Sequence, residues 1–592
     1  MKHKKYIAIA LTALLTFGSA QTALAAVIYH DLSTKGDLKI SSPGDEYVVT
    51  SSGESPTGYT IIVDNGVVTH IVLNGVNIET TDENGIKIGS NANVVLELDG
   101  TNSITVNTES YDTAKSGINV AEGTLTITGG EYDSLDVKVI DKGYPSDGAD
   151  GAAIGSDEGE KFNGTIIIEG GNITAVSEYG AGIGSGYDSE MSGSINISGG
   201  EVEASSSYGA GIGSGDYGEM SGSITISGGE VTASSNDNGA GIGSGWDGEM
   251  SGSITISGGE VTASSNYNGA GIGSGYGDYG EMSGSITISG GEVTASSNDN
   301  GAGIGSGWDG EMSGTITISD GEVTASSYYF GAGIGAGDYG DITESGSITI
   351  GGDADVTVSS ALGPGIGSGD YGNMDGKITI TDNAKVDITL GYYDEYDERY
   401  YHNNVAIGSG DYTSYYEFTG SINIHENANV TMGYIHGDGT PTIGSSNPED
   451  DGSSTGSISL STGAMINGTP GSDVEMLKDM GILDSNATIE TVEPTVEPEL
   501  VPDSRSTFDL KQLNLVQRIN EAEDGEVVAV SEKQLSKGKL PAYALEALAK
   551  KENVTLAILC EKFDILIPSE DAVDDAGSTQ FYTIDELVEM YE

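Results

Sequence analysis

Eight aromatic residues, Tyr187, Tyr217, Trp246, Tyr279, Trp308, Tyr339, Tyr371 and Tyr412, each follow a glycine-rich segment by a few positions. Sugar rings stack on the faces of such side chains, so a regular row of rings is a candidate wall for an extended glycan. The plainer reading is that the rings cover a corner of the fold. Beside them stand Asp188, Asp216, Asp247, Asp278, Asp309, Asp338 and Asp370, and a second acidic series runs through Glu201, Glu230, Glu260, Glu292 and Glu322. Carboxylates held one strand apart repel by roughly 1 kcal/mol per pair even in water. Calcium bridging through hard oxygen ligands would relieve this. The spacing matches neither an EF-hand loop nor the nonapeptide calcium roll, however, and screened, solvated acids are the plainer account. No cofactor is required by either reading, and calcium is the one candidate. A third series, Thr225, Thr255, Thr287, Thr317, Thr349 and Thr379, offers a flat hydroxyl array of the sort found on ice-binding β-helices. Serine and threonine are also simply the polar residues that strands accept.

An enzyme would need an asymmetric constellation. From Lys161 to Lys377 the intervening chain contains no lysine, arginine or histidine, so a lyase that removes a proton with a basic side chain finds none there. Arg399 is the one arginine of the repeat region and lies in the tyrosine-rich insertion from Tyr392 to Tyr401, with His402 next to it. A glycosidase needs only two carboxylates, so acids alone leave hydrolysis open. Near-identical units present the same groups many times, which suits multivalent binding better than one catalytic centre. The expectation is therefore a binding protein, with a polysaccharide-degrading enzyme sited in the irregular units as the alternative.

The elements that position these rows follow from internal repetition. The motif Gly-Ala-Gly-Ile-Gly-Ser-Gly places its isoleucine at Ile183, Ile212, Ile242, Ile272, Ile304, Ile334 and Ile366, at intervals of 29, 30, 30, 32, 30 and 32 residues. Degenerate copies carry the series back to Ile154 and on to Ile407 and Ile443. Within the unit from Ser223 to Gly252, three segments alternate apolar and polar residues, 223–227, 230–234 and 239–243, separated by Gly228-Gly229 and Asn236-Asp237-Asn238. Period-two alternation predicts half-buried strands, and the separators favour tight turns. Three strands per unit make one coil of a three-sided solenoid, each strand pairing in parallel with its counterpart about 4.8 Å away in the next coil. Ile224, Ile226, Val231, Ala233, Ala240 and Ile242 would point inward, with Met250 closing the third corner. Each large one contributes roughly 2 kcal/mol on burial. The glycines between them, Gly239, Gly241, Gly243 and Gly245, are expected to face outward as a flat floor beside the rings. By analogy with parallel crossovers the coil is expected to be right-handed.

Irregular coils precede the clean ones, at 71–78, 85–89 and 117–130. With these alternating, glycine-rich segments the chain resembles the carbohydrate-binding β-helix proteins of clostridia and related gut bacteria, relatives in shape of the pectate-lyase-like superfamily. The resemblance covers roughly residues 60 to 465. It implies a secreted right-handed parallel β-helix that binds a polysaccharide or cell-surface glycan, adhesin-like, and it carries over no individual binding residue.

The ends of the chain complete the organisation. Lys2, Lys4 and Lys5 precede a short apolar run and then Ala23-Leu24-Ala25, the pattern of a secretory signal over residues 1–25, so an extracellular or cell-surface location is expected. Losing that segment takes the formal charge from −68 to −71. Such a charge argues against nucleic acid and anionic membranes as partners, and no later stretch is long and apolar enough for membrane insertion. Capping strands are expected over 26–59, the β-helix over 60–467, an acidic proline-containing linker over 468–505 and a small α/β domain over 506–592, with helical periodicity at 513–522 and 542–551. The single cysteine, Cys560, permits no internal disulfide and reads as a small buried hydrophobe.

Overall fold

In the strand Ser223–Ile226 the isoleucines are fully buried and Ser223 and Thr225 half-buried, the outcome that alternation dictates once one face is closed off. The structure is a computed structural model. It describes residues 26–492 apart from short loop segments (110–113, 143–149, 278–279, 395–398, 402–404, 411–417, 436–440, 446–455 and 485–486), and parts of 519–587. Contacts divide the chain into two units, Met1–Thr495 and Val496–Glu592.

Three parallel ladders build the first unit. On the first face Ser194–Ile197, Ser223–Ile226 and Ser253–Ile256 pair in register, Ile195 with Ile224 and Ile224 with Ile254. On the second face Glu201–Ser206, Glu230–Ser235 and Glu260–Ser265 do the same. The third face is a 14-stranded sheet whose repeated strands are only two residues long, such as Ile242–Gly243. Two long strands, Ser285–Ser297 and Thr315–Ser327, run through the bend between the first and second faces without interruption. The all-β parallel solenoid expected from the repeats is therefore the observed fold.

Ile224, Ile226, Val231, Ala233, Ala240, Ile242 and Met250 are each at most 1% exposed. The methionine corner is itself a ladder of single bridges, Phe162 to Met191, Met220, Met250, Met282, Met312, Ile342, Met374 and Phe418. Flexible methionines fill the regular coils, and a larger ring stands at each end of the row.

Two expectations are corrected. The segment from 468 does not begin a linker: Val474–Asp479 forms a short helix capped by Asp473, Leu477 and Ile482 are buried, and Thr488–Val492 pairs in parallel with Ser457–Ser461. A helical turn interrupts the period-two pattern there, which hides the last coil from a search for alternation. The glycines of the third face are not an outward floor either, since Gly239, Gly241, Gly243 and Gly245 are all buried. A Cβ on Gly243, which has φ +141°, would overlap the carbonyl oxygen of Gly273, and one on Gly245 would overlap that of Gly215. Loops on either side also meet over this segment, with the Trp246 N–H donating to the Tyr208 carbonyl at 3.1 Å.

In the second unit, Val527–Ser531 pairs in parallel and Asp564–Pro568 antiparallel with Thr555–Leu559, and Lys539–Pro541 pairs with Phe581–Thr583. Cys560 and most of the two expected helices lie outside the described residues.

Because Gly243 combines a left-handed-side φ with backbone on its Cβ side, Gly243→Ala is expected to destabilise the solenoid by about 3 kcal/mol or more. Gly100→Ala, at φ +74° but with open space around it, is expected to cost about 1 kcal/mol. Thermal melts followed by circular dichroism check both, and equal losses would refute the backbone-contact argument.

Candidate functional site

Serines of the glycine motif hold the ring-bearing loops in place. Ser244 Oγ donates to the Gly248 carbonyl at 2.6 Å and accepts from the Gly275 N–H of the next coil at 3.0 Å, and Ser185, Ser214, Ser274 and Ser306 repeat both bonds. Each loop then offers two adjacent positions of opposite direction. The second is in the left-handed region, at Asp188 (φ 50°), Tyr217 (57°), Asp247 (56°), Asp309 (60°), Tyr339 (60°) and Tyr371 (62°).

Aspartate and aromatic swap places between these positions, so the expected rows are interleaved. Where the order is aromatic then aspartate, as in Trp246-Asp247 and Trp308-Asp309, the ring is half-buried. Where it is reversed, Asp216, Asp338 and Asp370 are buried, at 2%, 5% and 1% exposure, while Tyr217 and Tyr339 project at 45% and 48%. The aspartates thus form no single bridging row, and among the described residues no three acidic, histidine or cysteine side chains converge to hold a metal. Asp278, Tyr279 and Tyr412 lie outside the described residues, as do His402 and the side chain of Arg399.

In the coil that carries Tyr279, Tyr276 stacks on Trp308 with centroids 4.8 Å apart and planes 14° apart. Tyr339 stacks on Tyr371 at 4.8 Å, and Trp246 on Tyr276 at 6.4 Å. Tyr179 and Tyr208, from the loop after the second face, stack on each other at 4.8 Å and join the row through Tyr187 and Trp246. Much of the ring face that a sugar would use is therefore covered by the neighbouring ring. The sequence signal for Tyr276 is its direct succession to Gly-Ser-Gly, as at Trp246 and Trp308.

Burial pushes the Asp216 carboxyl up to about 8, with Asp247 and Asp237 adding to the effect. Burial likewise raises Asp338 to about 8, helped by Asp370, Asp309 and Asp299, and Asp150 to about 8, helped by Asp141 and Glu178. These acids are accommodated as neutral groups.

A different feature is concave. Where the methionine corner turns into the first face, a shallow furrow runs along the solenoid, lined by Asn163-Gly164-Thr165, Ser192-Gly193-Ser194, Ser221-Gly222-Ser223, Ser251-Gly252-Ser253, Ser283-Gly284-Ser285 and Ser313-Gly314-Thr315. A Cβ on Gly222 would overlap the Gly193 carbonyl, and Gly252, Gly284 and Gly314 repeat the constraint one coil on. Its rim carries Glu190, Glu219, Glu249, Glu281 and Glu311, one per coil. Ser221, Ser251 and Ser283 donate to Glu190, Glu219 and Glu249 of the preceding coil at 2.9, 3.0 and 2.6 Å. Attention to rings and strand alternation missed this furrow, although the repeated Glu-Met-Ser-Gly-Ser string marks it.

Among known protein families, the beta helix repeat matches residues 166–187, 195–216, 224–246, 254–276, 286–308 and 316–338. Those matches and the parallel ladders together define a β-helix repeat protein. No curated protein and no solved structure matches the chain.

The neutral buried acids give stability a definite pH dependence. A folded value near 8 lies above the unfolded value near 4, so their contribution is complete below about pH 4, declines as pH rises, and is lost above about 8. Melting temperature is expected to fall across that window. Asp216→Asn and Asp338→Asn should each flatten the fall, gaining on the order of 1 kcal/mol or more at pH 8 relative to pH 5. Parallel slopes for native protein and variants would show that the buried acids do not govern it.

Proposed function

We propose that this chain is an exported or surface-displayed protein that binds an extended polysaccharide along the outside of the solenoid, with the serine-glycine furrow as the principal contact. The observation that carries the reading is the repetition of one concave, hydroxyl-lined cross-section over successive coils from Asn163 to Thr315. A polymer laid along it meets equivalent groups at each step, and weak contacts then add through effective concentration. Binding is favoured over catalysis because the furrow repeats its groups, whereas a reaction centre needs one arrangement unlike its neighbours. The furrow is open, polar and shallow, which suits a hydrated chain better than a small apolar ligand.

The aromatic row plays a supporting part in this reading. Trp308 packs between Tyr276 and Tyr339, so its first role is to hold the loops of adjacent coils together. Tyr217 and Tyr339 are exposed enough to touch a ligand from the flank.

Affinity electrophoresis against a panel of soluble polysaccharides tests the assignment. Ser223→Trp combined with Ser253→Trp fills the furrow without touching buried residues and is expected to weaken binding at least about 10-fold, the equivalent of about 1.4 kcal/mol. Trp308→Ala is expected to lower stability by about 2 kcal/mol while changing affinity little. A glycan whose binding survives the serine pair but is lost with Trp246→Ala or Trp308→Ala would move the site to the aromatic row.

A further inference from the structure

The furrow's hydrogen-bonding polarity narrows its ligand. Ser221, Ser251 and Ser283 spend their hydroxyl protons on Glu190, Glu219 and Glu249, so the oxygen lone pairs are what they have left for a visitor. Carboxylates on the rim are acceptors only. Glu190 has a cationic partner in Lys161. Among the described residues no salt bridge reaches Glu219, Glu249, Glu281 or Glu311, and no lysine, arginine or histidine occurs in the sequence between Lys161 and Lys377. These acids stand one coil apart, and burial with the charges of Glu311 and Glu249 holds Glu281 above the usual glutamate range. The rim of the furrow is thus an acceptor-rich, negatively charged edge, while the hydroxyls of Ser223 and Ser253 on the other side can donate or accept, and the like charges of the rim gain from a counter-charge.

We infer that the furrow selects glycans bearing protonated amines, such as polymers of glucosamine, over neutral glycans and rejects polyuronates. The inference rests on the reading of the furrow as a glycan site. An ammonium group brings several donors and a positive charge to each carboxylate, the charge-assisted bond that is stronger than a neutral one. An acetylated amine keeps one donor and loses the charge. A uronate brings acceptors and negative charge to a track that already has both, so attraction is replaced by repulsion.

The experiment compares a glucosamine oligomer, its fully N-acetylated counterpart and a galacturonate oligomer by isothermal titration calorimetry at pH 6 in 0.1 M salt. The glucosamine oligomer is expected to bind about 10-fold tighter than the acetylated one, with no binding of galacturonate. A variant with Glu219, Glu249, Glu281 and Glu311 all changed to Gln should lose that advantage. The same number of charges removed from the second face, by Glu230→Gln, Glu260→Gln, Glu292→Gln and Glu322→Gln, should keep it, and circular dichroism confirms that both variants fold. Equal loss in the two variants would mean general attraction of a cation to an acidic protein and would overturn the inference. Equal affinity for the amine and acetylated oligomers, both abolished by the Ser223→Trp and Ser253→Trp pair, would overturn the charge selection and leave the glycan site standing. Failure of every oligomer to bind would remove both.

Discussion

Backbone meeting backbone at the corners is the constraint on which the solenoid depends. At the third face the stacking distance leaves no room for a Cβ at Gly213, Gly243, Gly273 or Gly305, each with φ near +140° and each aimed at the carbonyl of the glycine one coil on. One coil can therefore adopt this path only if the next adopts it too. Stability in such an array is close to a sum of coil and nearest-neighbour terms, so a corner that admits only glycine repeats its demand in every unit. The strands between the corners then need only isoleucine and valine alternating with polar residues, and the core is filled by one inward set copied along the axis.

The same stacking multiplies charge. A residue that is acidic in one coil is usually acidic in the next, as the in-register pairs Glu201–Glu230–Glu260–Glu292–Glu322 show. That row is exposed, where water and salt screen it. It ends against Asn172 on one side, and past Asp355 it reaches Lys385, which pairs with Asp355 at 3.1 Å. The aspartates of the ring-bearing loops meet the problem differently. Swapping position with the aromatic residue splits the described carboxylates between an outer and a buried set, and it leaves Asp216 and Asp338 buried and neutral.

How far the sequence could be read follows from what each feature depends on. Inward residues such as Ile224, Val231 and Ala233 were legible because burial in a strand has a period of two and needs nothing beyond the local pattern. The ladders followed from the 29-to-32-residue spacing of one isoleucine. What the glycines were for was not legible, since outward glycine and crowded glycine are written with the same letter and only the neighbouring coil distinguishes them. Tyr276 was not singled out because a two-residue insertion breaks the count in that coil, and the position directly after Gly-Ser-Gly is what the loop hydrogen bonds fix. The coil beyond residue 468 was hidden by the helix Val474–Asp479, whose apolar residues follow a different period.

The furrow shows how a structural requirement becomes a surface. Gly222, Gly252 and Gly284 lack side chains because the preceding coil's carbonyl occupies the place a Cβ would take, and their bare backbone lines the track. Serines on both sides are half-exposed, and those preceding Gly222, Gly252 and Gly284 are held by the glutamate of the coil before, so floor and rim are fixed by the same stacking. A ligand lying along the axis meets one such set about every 4.8 Å. Contacts accumulate over many coils only for a polymer whose own repeat stays in step with that distance; a polymer out of step alternates between good and poor contacts and gains little from added length. On the proposed reading, affinity should then grow with chain length for a matched polymer and level off early for a mismatched one, and the coil rise itself, set by strand pairing and held by the glycine corners, would determine which glycans are preferred.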